Sequence, residues 1–244
     1  MLYSYSVFGE DFYKIIIVMI ATVMALFVAM PFREFAKAFV ARREGDYTSV
    51  ALKRYTLAPL AHIDIIGFIF LLLFRFGWSK PLPIDERNFK RGRKSKFLVY
   101  SAGIITNLVL AVLFLFIYML LLKVFPQVYD VPFYGFLLEE FLTISVSYNF
   151  MLAIFHILPI YPMDGFKIVE SFSRSGTNAY LDFMRRYYFV IFLVLAITGI
   201  YGYIYRYTAG YLINWLIKLF SIILGLWYGE FNRRKKTINW NRGS

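Results

Sequence analysis

Arg33, Glu34 and Lys37 close a long apolar run, in the stretch Pro31-Phe32-Arg33-Glu34-Phe35-Ala36-Lys37. On a helix, the four-residue spacing puts Arg33 and Lys37 on one face, one turn apart. With histidine at both outer positions, this pattern holds a zinc ion while the glutamate activates its water. Here the outer positions carry Arg and Lys. Arginine offers only donors and does not deprotonate in proteins. Lysine ligates a metal only when neutral, which requires a depression of several pK units. The spacing of a zinc site is present and its two imidazoles are not. The chain has no cysteine and only two histidines, His62 and His156. Disulfides, thiol catalysis, Cys-rich metal sites and a three-histidine site within one chain are therefore excluded.

The elements that carry these residues belong to a membrane protein. Of the 244 residues, 60% are hydrophobic and 21% aromatic, against about 45–50% apolar in a soluble domain, and the excess lies in long runs. The net charge of +12 then marks cytoplasmic loops and contact with a lipid bilayer, with no nucleic-acid partner. No cleavable signal peptide is expected, because the first apolar run is too long and leads into the charged motif.

Ile15 to Phe32 predicts a span entering from outside, bent by Pro31 just before Arg33. Gly45-Asp46 ends that helix, and Tyr47 to Leu60 predicts short strands or turns. Ile63 to Trp78 is apolar but short, with basic residues on both flanks; it reads as re-entrant, a sixth span being the alternative. Phe97 to Leu122 runs outward, Phe141 to Met163 inward, Tyr187 to Tyr205 outward and Tyr207 to Gly229 inward. Twenty of the 27 Lys and Arg then fall on the cytoplasmic side. The expected fold is an all-α polytopic membrane protein, with about five spanning helices, a re-entrant segment and a short β-rich loop. It forms one membrane domain, 1–244, with a core over 15–168 and two further helices and a basic tail over 169–244. The N-terminus is expected outside and the tail in the cytoplasm, across the plasma membrane. Lys218 is an intramembrane cation, either functional, paired or snorkelling.

Four stretches carry a resemblance. They are the Arg33–Lys37 helix; Gly45-Asp46-Tyr47-Thr48 with Leu57-Ala58-Pro59-Leu60-Ala61-His62-Ile63-Asp64 and Phe76-Gly77-Trp78-Ser79-Lys80-Pro81-Leu82-Pro83; Ser101-Ala102-Gly103-Ile104-Ile105-Thr106-Asn107; and Asn149 followed by His156-Ile157-Leu158-Pro159-Ile160-Tyr161-Pro162-Met163-Asp164-Gly165. From about residue 15 to 168, in order and at family spacing, the chain resembles the site-2 proteases. These are intramembrane zinc metalloproteases, and the likeness is to their compact bacterial branch.

In active members two histidines and an Asp hold zinc, a Glu activates water and an Asn assists the substrate carbonyl. The resemblance implies that Arg33 and Lys37 stand at the histidine positions, Glu34 at the base, Asp164 at the third ligand and His156 at the Asn. The cofactor the family implies, zinc, is expected to be absent, with no metal site. In its place a neutral ion-pair cluster of Arg33, Lys37, Glu34 and Asp164 would dock two helices. Asp46, His62, Asp64, Asn107 and Asn149 are candidates for the loop and cleft that receive a substrate. The expected function is that of a pseudoprotease, an inactive homologue binding a transmembrane or membrane-proximal polypeptide without cleaving it. One alternative is an active membrane metallopeptidase built on Glu34, His156 and Asp164. Another is a small transport component using Lys218 and the Arg33/Asp164 cluster as a polar path.

Overall fold

The computed structural model describes residues 2–65, 79–173 and 178–225. The helices are α1 (Leu2–Arg43), α2 (Thr48–Ala51), α3 (Arg93–Val124), α4 (Tyr134–Ile157), α5 (Asp164–Phe172), α6 (Ala179–Thr198) and α7 (Ile200–Leu224). Among the described residues four helices are long and apolar enough to cross a membrane: Phe12–Arg43, Arg93–Val124, Tyr134–Ile157 and Gly202–Leu224. The protein is an all-α, multi-pass membrane protein. α1 runs through Pro31 without interruption. It stops before Gly45, whose φ of +105° is costly for any residue with a Cβ.

Contacts between the ends fix the relative directions of the helices. At one end Glu44, just past α1, accepts from Arg91 and Ser95 at the start of α3, and the Tyr180 hydroxyl of α6 donates to the Pro159 carbonyl beyond α4. At the other end Tyr13 meets Phe133, with ring centroids 6.1 Å apart, and the Lys123 ammonium of α3 donates to the Leu224 carbonyl of α7. α1 and α4 therefore run toward the Asp164 end, and α3 and α7 run away from it. The main apolar core lies between α3, α4 and α7, where Phe114, Leu115, Tyr118, Val146, Phe150, Ile217 and Phe220 are buried together. Burial of each such side chain contributes about 1.5–3 kcal/mol in a soluble protein; in a bilayer the gain comes from close packing between helices.

Two expectations change. Tyr187 to Tyr205 is not among the helices long and apolar enough to cross a membrane that the described residues contain. α6 carries Asp182, Arg185 and Arg186 and ends at Gly199, φ +65°. Its apolar part beyond Arg186 rises only about 18 Å, short of the ~30 Å hydrocarbon core. The end of α7 lies with Lys123, at the end of the bundle opposite Asp164. The basic tail, expected in the cytoplasm, falls outside the described residues. The β-rich loop is also absent among the described residues, where the β pairing is the isolated bridge between Ile63 and Ser79. Tyr47 to Leu60 instead forms α2 and leads to a 3-10 turn at Pro59–Ala61. Of the expected re-entrant segment Ile63 to Trp78, residues 66–78 lie outside the described residues; the bridge brings Ile63 and Ser79, on either side of them, together. Lys218 is exposed on α7, about 9 Å from the helix end, within reach of headgroups by snorkelling.

The Glu44 junction gives a pH-dependent prediction. Hydrogen bonds from Arg91 and Ser95 hold its carboxyl below the usual glutamate range, although burial opposes this. A depressed carboxyl stabilises the fold fully above its unfolded value of about 4.3, and that contribution fades as pH falls through the lower folded value. Glu44→Gln should therefore lower the melting temperature at neutral pH and flatten its fall on acidification, as read by thermal melts in detergent across the acidic range.

Candidate functional site

The site forms where α1, α3 and α5 meet under the end of α4. Gly103 supplies a flat surface on α3: a Cβ there would lie 2.9 Å from Lys37 Cδ and 3.2 Å from Arg33 Cγ. The stems of both cations thus lie against the α3 backbone. Gly165 lets α5 tuck under α4, since a Cβ would fall 2.2 Å from the Ile157 carbonyl oxygen. This places Asp164, the first residue of α5, opposite Arg33 and Lys37.

The Arg33 guanidinium bonds both Glu34 Oε1 and Asp164 Oδ2. Lys37 Nζ donates to Asp164 Oδ1 at 2.9 Å and lies 3.7 Å from Glu34 Oε2. None of the four residues is more than 7% exposed. Two cations and two carboxylates make the cluster neutral, the condition under which charge persists at membrane depth. His156 borders it, with Nδ1 3.9 Å from Asp164 Oδ2. The Tyr100 ring lies under Lys37 Nζ at 5.4 Å, and its hydroxyl donates to Glu86 at 2.8 Å.

Asp46 and His62 are bonded elsewhere. Asp46 is fully buried as a staple, accepting from the Thr48 amide (3.0 Å), the Asp85 amide (3.0 Å) and Asn88 Nδ2 (3.2 Å). This staple explains the helical turn α2: the carboxylate takes up the Thr48 amide and holds the loop by side-chain bonds in place of a strand ladder. His62 is also buried, its Nε2 2.8 Å from the Thr56 carbonyl oxygen. Asp64 is half-buried beside the Ile63–Ser79 bridge. Asn107 lies one turn along α3 from Gly103, and Asn149 donates to the Ser145 carbonyl of α4 at 2.8 Å; both are fully buried. Sequence reasoning passed over Tyr100 and the charged layer beneath it, Glu86, Lys96, Lys167 and Glu170. The available signal was the helical spacing of Lys96 with Tyr100 and of Lys167 with Glu170.

Fold and site define a multi-pass membrane protein with a neutral ion-pair cluster buried where three helices converge. The chain is 34% identical over 201 residues to the protein named "Putative zinc metalloprotease YwhC" of Bacillus subtilis (strain 168), covering 82% of this chain and 91% of that one. It belongs to the site-2-protease-like family of that relative. No family model and no solved structure matches the chain.

Proposed function

We propose that this chain is a non-catalytic member of the family, a pseudoprotease that holds a transmembrane or membrane-proximal polypeptide without cleaving it. The observation that carries this reading is that Arg33 and Lys37 both bond Asp164. By the family's motif these three positions are the zinc ligands. Here two are cations whose donor atoms engage the third, so the residues do not fit the metal. Arg33 has no lone pair to offer, and a catalytic zinc normally has three protein ligands. The alternative set of Glu34, His156 and Asp164 fares no better. Among the described residues no three His, Asp or Glu side chains group as metal ligands, and Arg33 bonds both carboxylates. Glu34, in the position of the family's base, is bonded by Arg33. The family's scaffold with its metal position filled from within supports binding as the retained activity.

Elemental analysis of the protein purified in mild detergent tests this. Wild type should carry no stoichiometric zinc, whereas Arg33→His/Lys37→His, with Asp164 intact, should gain it. Near-stoichiometric zinc in wild type, lost in Asp164→Ala, would overturn the reading and require a peptidase assay.

A further inference from the structure

A cavity of about 370 Å³ opens at the Asp164 end, away from the buried cluster, between the loop before α3, the first turn of α3, the end of α5 and the start of α6. Its walls carry Arg93, Lys96, Arg185, Glu86 and Glu170, over a floor that includes the buried Leu181. Lys96 Nζ lies 2.6 Å from Glu86 and also bonds Glu170. Lys167 lies 3.0 Å from Glu86 and 3.4 Å from Glu170. Arg185 bonds Glu170 and lies 3.6 Å from Asp182. Burial opposes ionisation of Glu86 and Glu170, yet hydrogen bonds from Lys96 and the nearby Lys167 hold both below the usual glutamate range. Both carboxylates therefore remain charged and taken up.

The charge count does not close. Among the described residues that line the cavity, Arg93, Lys96 and Arg185 face Glu86 and Glu170, which leaves one cation in excess. The surplus sits on Arg93, which is exposed and, among the described residues, reaches the Ser173 carbonyl at 3.4 Å. An exposed guanidinium that spends one donor on a long bond to the Ser173 carbonyl, beside a cavity large enough for a small polar molecule, suits binding of a tetrahedral oxyanion. We propose that this cavity binds a phosphate ester, its phosphate held by Arg93 with Arg185 and Lys96 behind. The rim stands at the end of the bundle, where the phosphate of a lipid headgroup and a soluble phosphate ester both have access.

The full-length protein in mild detergent would be titrated with inorganic phosphate and with glycerophosphate, at ionic strength matched with chloride. In parallel, it would be melted in phosphatidylcholine vesicles with and without phosphatidylglycerol. Saturable binding is expected, weakened about tenfold or more in Arg93→Gln, the loss of one charge-assisted fork. Arg93→Lys should recover part of it, and Lys94→Gln, an exposed neighbour outside the cavity, should bind as wild type. Response to glycerophosphate in detergent assigns a soluble ester, and response confined to phosphatidylglycerol vesicles assigns a headgroup; either upholds the site. No saturable response to any probe, or one unchanged in both Arg93→Gln and Arg185→Gln, overturns it.

Discussion

Asp164→Asn should destabilise the protein by about 3–5 kcal/mol, the usual consequence of leaving a buried charge without its partner. Arg33 and Lys37 both bond Asp164; without its charge they would share Glu34 alone, and the buried layer would carry a net positive charge. The measurement is the melting temperature in detergent, together with the yield of folded protein. Lys37→Met placed on Asp164→Asn should recover part of the loss, because it removes the surplus cation while keeping an apolar stem against Gly103. An Asp164→Asn protein that melted with wild type would show that the cluster does not hold these helices together.

The second large effect is expected at Gly165. A Cβ there would meet the Ile157 carbonyl oxygen at 2.2 Å, with the Ile157 carbonyl carbon and the Leu158 carbonyl oxygen both at 2.5 Å. All three are backbone atoms, so no rotamer change relieves the contact, and α5 or the end of α4 must move. Overpacking of this kind costs about 1–3 kcal/mol or more, and the displacement also draws Asp164 away from its cations. Gly165→Ala should therefore approach Asp164→Asn in severity, and the two should combine less than additively, since they disturb one contact. Gly210→Ala on α7, where a Cβ meets nothing within 4 Å, is the control, expected to be neutral or stabilising by up to about 1 kcal/mol. Thermal melts of the three single variants and the double variant distinguish these outcomes.

What could be read from the chain alone divides along a physical line. The spans of α1, α3 and α4 are local facts, because an apolar run of sufficient length states its own environment. The pairing of Arg33 and Lys37 on one face is equally local. Whether Asp164 reaches them depends on Gly165 and Gly103, whose role is to be absent as side chains, and such a role is visible only once the neighbouring helix is in place. The loop after α1 was misread for a related reason. The carboxylate that organises α2 takes donors from Asp85 and Asn88, far along the chain, and strand-like composition could not outweigh those bonds. Beyond Arg186 the charge at Arg206, between the two expected spans, marks a boundary in the sequence, whereas α6 ends at Gly199. The layer of Glu86, Lys96, Lys167 and Glu170 looked in sequence like scattered loop charges, and it assembles only across three elements.

The separation of the cluster's members along the chain also bears on how the protein is made. Arg33 and Asp164 lie 131 residues apart. At a synthesis rate of about 5–20 residues per second, α1 leaves the ribosome on the order of ten seconds before its counter-charge exists. During that interval a hydrophobic segment carries Arg33 and Lys37 against Glu34 alone; the penalty of roughly 2.5–3.5 kcal/mol that a cation meets at the centre of an inserting helix is an upper bound here, where both lie toward the end of the apolar run. The first helix is thus a reluctant passenger in the bilayer until α5 arrives. Its retention near the insertion machinery, or in a shallow position with both cations drawn toward the headgroups, becomes a step in the biogenesis of this fold.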